Sequence, residues 1–326
     1  MVAAKNELPL TLGVDLGGTK VNVGLVDAAG RLLFGSKSLI HASKKPELVI
    51  ADVLAGVDAC LTKTGKQAKA LGIGVAAQVG REGVVRGSPN LGWRNFDLKK
   101  ELEKKLELPV YVTNDVRAAT WGEWHYGDGR GVTDLVVLFV GTGVGGGVIS
   151  GGNVISGCTN SGGELGHMTI VSEGRKCRCP NRGCLEAYVG GWAIAERAQD
   201  AIKTLSTEGK YLLTLAGSVN NVTSVTVNQA FRDGNLLSKL LINETGRHLA
   251  AGVVSVVNAF NPCMVVLGGS IIENIPELYL IVKELVPHMA LEAAVEKLQI
   301  TRAALGGDAA VVGAAALAQS LVKDSS

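Results

Sequence analysis

The chain has 326 residues, enough for two domains, and its charge is nearly balanced, with Lys plus Arg 32 against Asp plus Glu 30. No basic stripe suits nucleic acid or an anionic membrane surface. The most apolar stretches, "AAGVVSVVNAF" and "AALGGDAAVVGAAALAQSLV", are too short or too interrupted by Gly, Asp and Gln to span a bilayer, and both read as buried helices.

The opening "MVAAKNELPL" carries no h-region or cleavage site, so export is not expected. From Leu10 the pattern reads strand, turn, strand, turn, strand. "TLGVD" is apolar, "KVNVGLVD" alternates, "AAG" turns the chain and "RLLFGSKSLI" follows. The stretch Asp15-Leu16-Gly17-Gly18-Thr19-Lys20 is therefore a hairpin loop. A Walker A loop or a dinucleotide fingerprint runs from strand into helix, and neither G-x-x-x-x-G-K-[ST] nor G-x-G-x-x-G is present. Residues 46–65 have helical spacing, "ALGIGVAAQV" is a buried strand, and "GREGVVRGSPNLGW" is a turn-rich loop. "FDLKKELEKKLEL" is a charged helix that Pro109 ends, "VYVTND" a short strand, and "VRAATWGEWHYG" the start of a helix. Strands alternating with helices indicate α/β architecture.

The opening pattern then returns. In "LVVLFVGTGVGGGVISGGNVI", Thr142 stands where Thr19 stood, Val144 matches Val21, Gly147 matches Gly24, and Val148-Ile149 match Leu25-Val26. This reads as an internal duplication, two domains each opening on a hairpin with a glycine-threonine turn. Backbone N–H groups at such turns bind phosphate oxygens. Asp15 suits a hydrated Mg²⁺, whereas Gly141-Thr142-Gly143 offers only neutral donors. That division suits a nucleoside triphosphate with its metal. Taken singly, either loop reads as well as an ordinary hairpin turn, and Lys20 as a solvated lysine. Three of the six cysteines, Cys177, Cys179 and Cys184, cluster as metal ligands do rather than as a disulfide framework, which points to a reducing cytoplasm. Cys60, Cys158 and Cys263 read as lone thiols, Cys263 buried at a strand start.

The motif "CRCPNRGCLEA", set just after "GGELGHMTI", resembles that of the ROK family (repressors, open reading frames, kinases), in the superfamily of sugar kinases, actin and heat-shock chaperones. The resemblance runs from about Leu12 to Ala318 and is greatest to bacterial ROK glucokinases. The family pattern is C-x-C-G-x-x-G-C-x-E with G-x-x-G-H upstream. Pro180 stands here where the family has glycine, so the loop is expected to keep its ligands with a stiffer turn. Some ROK proteins carry an N-terminal DNA-binding helix-turn-helix. About ten residues precede the first strand here, and none is expected. The resemblance implies a two-domain actin-like ATPase (ribonuclease H-like) α/β fold, with duplicated hairpin-led sheets flanking a cleft. Its small domain would be residues 1–115, joined by a C-terminal helix at about 308–326, and its large domain residues 116–307 with a zinc-binding loop.

The same resemblance implies the site. Asp15, Gly17, Gly18, Thr19 and Lys20 form one phosphate loop and Gly141, Thr142 and Gly143 the other. Gly268-Gly269 in "VVLGGS" lie against the adenosine, where a plain strand-to-helix turn is the alternative. Asp115 is the general base that takes the proton from the sugar 6-hydroxyl; its spacing alone would read as a helix N-cap. Asn90 and Asn114 bind sugar hydroxyls, or are turn asparagines. Glu164, His167 and Glu186 complete the sugar wall, the two acids otherwise reading as solvated surface groups. His167, Cys177, Cys179 and Cys184 form a closed Cys₃His zinc site, structural because no ligand position is open. Zinc loss is expected to loosen Glu164, Glu186 and His167, with the phosphate loops less affected.

The implied function is ATP- and Mg²⁺-dependent phosphorylation of glucose to glucose 6-phosphate and ADP, the hexokinase step of glycolysis. A kinase for mannose, fructose, allose, N-acetylmannosamine or N-acetylglucosamine is the alternative of the same class. A non-catalytic sugar-sensing or nucleotide-binding regulator is the alternative of another class, against which Asp115, Glu164 and Glu186 speak. A hexose partner and a homo-oligomer, dimer or tetramer, are expected, with neither nucleic acid nor membrane.

Overall fold

The computed structural model describes residues 9–204 and 206–323. The chain divides into two compact units. One runs to Gly131 and takes in Ile155–Gly162 and the chain from Ala304; the other is Val132–Val154 with Gly163–Ala303.

In the first unit, β1 (Thr11–Leu16), β2 (Lys20–Val26) and β3 (Leu32–Leu39) form an antiparallel meander. β4 (Ala70–Val75) lies parallel to β1 and β8 (Val110–Asn114) parallel to β4, giving the order β3-β2-β1-β4-β8. The central strands β1 and β4 are buried almost throughout, which is why they read as continuous apolar runs. The stretch expected as a turn-rich loop instead pairs into a small sheet: β5 (Gln78–Val79), β6 (Val84–Ser88) and β7 (Trp93–Asp97). Its glycines and Pro89 concealed two short strands whose buried anchors are Val85 and Trp93.

One row of this sheet is glycine on four of its five strands, from Gly35 on β3 to Gly72 on β4. Gly13 pairs with Gly24 on one side and Gly72 on the other. The final helix, Ala309–Lys323, lies in that groove so closely that a Cβ on Gly13 would meet the Val311 carbonyl oxygen at 1.9 Å, and one on Gly72 the Ala314 oxygen at 1.8 Å. Residues 324–326 of the expected C-terminal helix lie outside the described residues.

The second unit repeats the plan. β9 (Leu135–Val140), β10 (Val144–Ser150) and β11 (Asn153–Val154) are antiparallel, β12 (Met264–Gly268) and β13 (Gln299–Arg302) parallel, in the order β11-β10-β9-β12-β13. The two hairpins are not identical in length. Leu16 pairs with Val21 across the first turn, but Val140 pairs with Val144 across the second, one residue tighter. The helix Leu236–Phe260 carries the buried run that includes Leu249, Val253, Val256 and Val257. Cys263 is exposed rather than buried: its N–H bonds the Asp134 carbonyl at 2.9 Å one residue ahead of β12, and its thiol stays outside the sheet. Among the described residues, no helix is long and apolar enough to cross a membrane.

Candidate active site

In the first unit the chemistry gathers at the carboxyl ends of β1, β4 and β8. Asp15 pairs with Asn22 on β2 and with Gly74 on β4. Residues paired across strands project to the same face of a sheet. Asn22 Nδ2 accordingly donates to Asp15 Oδ2 at 3.0 Å. Burial raises the Asp15 carboxyl above its ordinary range, opposed by the Asn22 hydrogen bond and the Lys37 charge. Gly74 leaves the next place on that row empty, and a Cβ there would come within 3.0 Å of the Asp115 Cα. The glycine thus lets the strand carrying Asp15 and the helix begun by Asp115 share one edge.

That helix, Asp115–Tyr126, is capped by Asn114. Its Oδ1 accepts the Arg117 N–H at 3.0 Å, while its Nδ2 donates to the Ala77 carbonyl at 3.3 Å. Asp115 is therefore not the cap. It stands at the first helical position, with Oδ1 accepting the N–H of Val116 at 2.9 Å. The Arg117 guanidinium holds the excursion Ile155–Gly162 through Asn160 Oδ1 at 2.6 Å and the Asn160 and Gly162 carbonyls at 3.1 and 3.2 Å. Asn90 packs on the first turn: a Cβ on Gly18 would lie 2.8 Å from that of Asn90. Its carbonyl accepts from Lys44 Nζ at 2.7 Å. The turn itself closes by Gly17 N–H to the Lys20 carbonyl at 3.0 Å, and the Lys20 side chain is exposed.

The second turn is gripped from three directions. The carbonyl of Gly141 accepts from the Gly191 N–H at 2.9 Å and that of Thr142 from the Trp192 N–H at 3.2 Å, both at the start of the helix Gly191–Thr204. In a trans peptide the C=O and the following N–H point in opposite directions. The N–H groups of Thr142 and Gly143 therefore point away from that helix. Glu186 Oε2 accepts the Val144 N–H at 2.9 Å, and Oε1 the Trp192 Nε1–H at 3.3 Å. Gly268 pairs with Phe139, and Gly269, at φ 91°, packs against the Val140 carbonyl, so this glycine pair abuts the strand that leads into the turn.

Glu164 is exposed and precedes the short turn Leu165–His167, which lies on β10: a Cβ on Gly166 would meet the Val144 oxygen at 2.0 Å. His167, Cys177, Cys179 and Cys184 converge, their ligand atoms all within 4.8 Å of one another. His167 Nδ1 lies 3.7 Å from Cys177 Sγ, and Cys179 Sγ 3.6 Å from Cys184 Sγ. A tetrahedron with Zn–S bonds of about 2.3 Å has edges of about 3.8 Å, so the donor set and its spacing fit zinc. Pro180 does not disturb the convergence; the loop closes by Cys177 N–H to the Asn181 carbonyl at 3.1 Å and by Gly183, at φ 78°. Burial pushes the Cys177 thiol up to about 12 and raises that of Cys184. For Cys179 burial is outweighed by hydrogen bonds from the Asn181 backbone and the neighbouring thiols, and its thiol is lowered. A dication is what would allow all three to stand as thiolates.

The sequence reading missed Asn22, Arg117 with Asn160, and the Gly190-Gly191-Trp192 step. The glycine inside the buried run "ALGIGV" was the available sign of close backbone approach at Gly74.

The chain matches the ROK family over residues 11–321. It is 33% identical over 311 residues to a glucokinase of Thermotoga maritima, covering 94% of this chain and 96% of the relative. It is 32% identical over 313 residues to an N-acetylmannosamine kinase of Shigella boydii, covering 95% and 98%. Other relatives are named xylose repressors. The crystal structure of a ROK family glucokinase from Streptomyces griseus, in complex with glucose and AMPPNP, superposes with a TM-score of 0.83 at 32% identity, over 95% of this chain and 99% of that one. The fold is the actin-like, ribonuclease H-like ATPase fold, and the chain belongs to the ROK family.

Proposed function

We propose that this protein is an ATP-dependent hexokinase that phosphorylates glucose at its 6-hydroxyl. One observation carries the reading: Asn114 takes the capping role and leaves Asp115 inside the first turn of a helix whose start packs on Gly74, the strand partner of Asp15. The likeness to glucokinases over nearly the whole chain supports glucose as the acceptor.

In this reading Asp115 accepts the proton of the attacking 6-hydroxyl, a role worth about 10²–10⁴-fold. Asn90, Asn114, Glu164, His167 and Glu186 are the side chains proposed to satisfy the remaining sugar hydroxyls. Asp15 would hold the hydrated Mg²⁺ that accompanies ATP, an ion that would neutralise charge on the phosphates. The Gly17–Thr19 turn and the N–H groups of Thr142 and Gly143 receive phosphate oxygens, and Gly268-Gly269 lie beside the nucleoside. Cys177, Cys179, Cys184 and His167 would hold zinc, which would supply folding free energy to a loop of polar sequence and fix the His167 ring.

Sugar-dependent ADP release across a panel of hexoses and N-acetylhexosamines tests both levels. ADP release with some sugar establishes the kinase, and the highest kcat/KM with glucose establishes the substrate. No ADP release with any sugar would favour a sugar-sensing or nucleotide-binding regulator.

A further inference from the structure

The cysteine loop and the second glycine turn meet at one side chain. Trp192 donates its main-chain N–H to the Thr142 carbonyl at 3.2 Å and its indole N–H to Glu186 Oε1 at 3.3 Å. The Arg178 guanidinium lies over its ring, 4.5 Å from the centroid. Arg178 stands between Cys177 and Cys179, two of the four convergent metal ligands. The other oxygen of Glu186 takes the Val144 N–H, where the turn re-enters β10. One indole therefore touches the metal loop with its face, a carboxylate of the sugar wall with its edge, and the phosphate turn through its backbone.

We propose that Trp192 is a positioning residue that transmits the order of the cysteine loop to the Gly141–Gly143 turn, so that the loop governs nucleotide affinity as well as sugar affinity. The proposal rests on the kinase reading above. The physical reason lies in the turn. Two of its three residues are glycines, whose peptide planes rotate with little steric resistance. The turn closes by the Gly141 N–H to the Gly143 carbonyl at 2.9 Å, a bond that engages neither of the two peptide planes carrying the Thr142 and Gly143 N–H groups, so their aim is set by the anchors on the Gly141 and Thr142 carbonyls. Those anchors are the N–H groups of Gly191 and Trp192. Whatever holds the indole in place holds the anchors, and Arg178 and Glu186 do so from two sides. Chain order alone suggests that metal loss reaches Glu164 and Glu186 and spares the phosphate turns; the contacts of Trp192 carry it further.

The test is calorimetric titration of a magnesium-bound, non-hydrolysable ATP analogue into the full chain. It is run before and after zinc removal by 1,10-phenanthroline, which leaves Mg²⁺ in place, with metal content measured and zinc then restored. In the wild type, zinc removal is expected to weaken the analogue at least about fivefold. Trp192→Leu is expected to bind it about tenfold more weakly and to lose its sensitivity to zinc removal. Arg178→Met, at an exposed position, is expected to keep its zinc and its fold and to lose about two- to fivefold in analogue affinity. The proposal is overturned if zinc removal leaves wild-type analogue affinity unchanged. It is also overturned if Trp192→Leu keeps full zinc sensitivity, or if Arg178→Met, should Trp192→Leu not fold, matches the wild type. A wild type that binds no analogue and releases no ADP with any sugar would instead overturn the kinase reading itself.

Discussion

Asn114 caps the helix that Asp115 begins, accepting the Arg117 N–H at 3.0 Å and leaving its neighbour inside the first turn. The pair divides labour between adjacent residues. The amide fixes the helix start, and the carboxylate is held at the strand edge by that start. Two substitutions separate the two tasks.

Asp115→Ala is expected to lose at least about a hundredfold in kcat while the protein still binds ATP and sugar, because a general base acts on the chemical step. Steady-state kinetics with calorimetric binding checks this. Near-normal turnover in a folded variant would remove Asp115 from the mechanism.

Asn114→Ala removes a cap and is expected to destabilise the first unit by about 1 kcal/mol, whereas Asn114→Asp, an equally good capping residue, should retain most of that stability. Urea denaturation of the three proteins measures it. Equal midpoints for wild type and Asn114→Ala would show that the cap is redundant.

The purified protein is expected to hold one zinc per chain, and Cys177→Ser to lose both metal and thermal stability, since a structural zinc site stabilises a loop as polar as "EGRKCRCPNRG". Elemental analysis and thermal melts decide it. A metal-free wild type that binds glucose tightly would defeat the zinc assignment.

His248 predicts a pH dependence. Its ring packs against that of Tyr188 at a tilt of 43° with centroids 4.3 Å apart, and burial, aided by the Arg197 charge and opposed by Glu244, lowers its proton affinity below the ordinary value of 6.5. Arg197 itself is buried, donating to the Tyr188 carbonyl, Thr245 Oγ1 and Glu244 Oε2. The unfolded chain protonates this histidine first as pH falls. Stability contributed by the neutral ring is therefore full above 6.5 and is lost progressively below it. His248→Gln is expected to flatten that part of the stability profile between pH 7 and 5, as read from melting temperatures. An unchanged slope would place the acid sensitivity elsewhere.

Much of this molecule was legible before folding, for a local reason. The hairpins at Asp15–Lys20 and Gly141–Gly143 and the cysteine loop each announce themselves within a few residues, through glycine, alternation and ligand spacing. What stayed hidden depends on partners far apart in sequence. The approach of the Asp115 backbone to the strand partner of Asp15 requires a glycine at position 74. The anchoring of the second turn requires Gly191 and Trp192, fifty positions downstream of Gly141 and Thr142. β6 and β7 were missed because a small sheet with dense turns has the composition of a loop. The single-residue difference between the two turns was invisible too, since matching Thr19 with Thr142 aligns the second strands and says nothing of where the first strands end.

The helix Ala309–Lys323 has a consequence for how the molecule is made. It fills the glycine-lined groove of the first sheet, yet it follows the whole of the second unit in the chain. On the ribosome, the first unit emerges early with that groove bare and stays incomplete while the second unit is synthesised and can close its own core. The first unit is finished last, by a docking event of long sequence separation, which carries a loop-closure cost and is intrinsically slow. Until it happens, the backbone of Gly13 and Gly72 lacks the helix that covers it. The nascent chain is then most exposed to proteases and to wrong pairing at the very strand that bears Asp15.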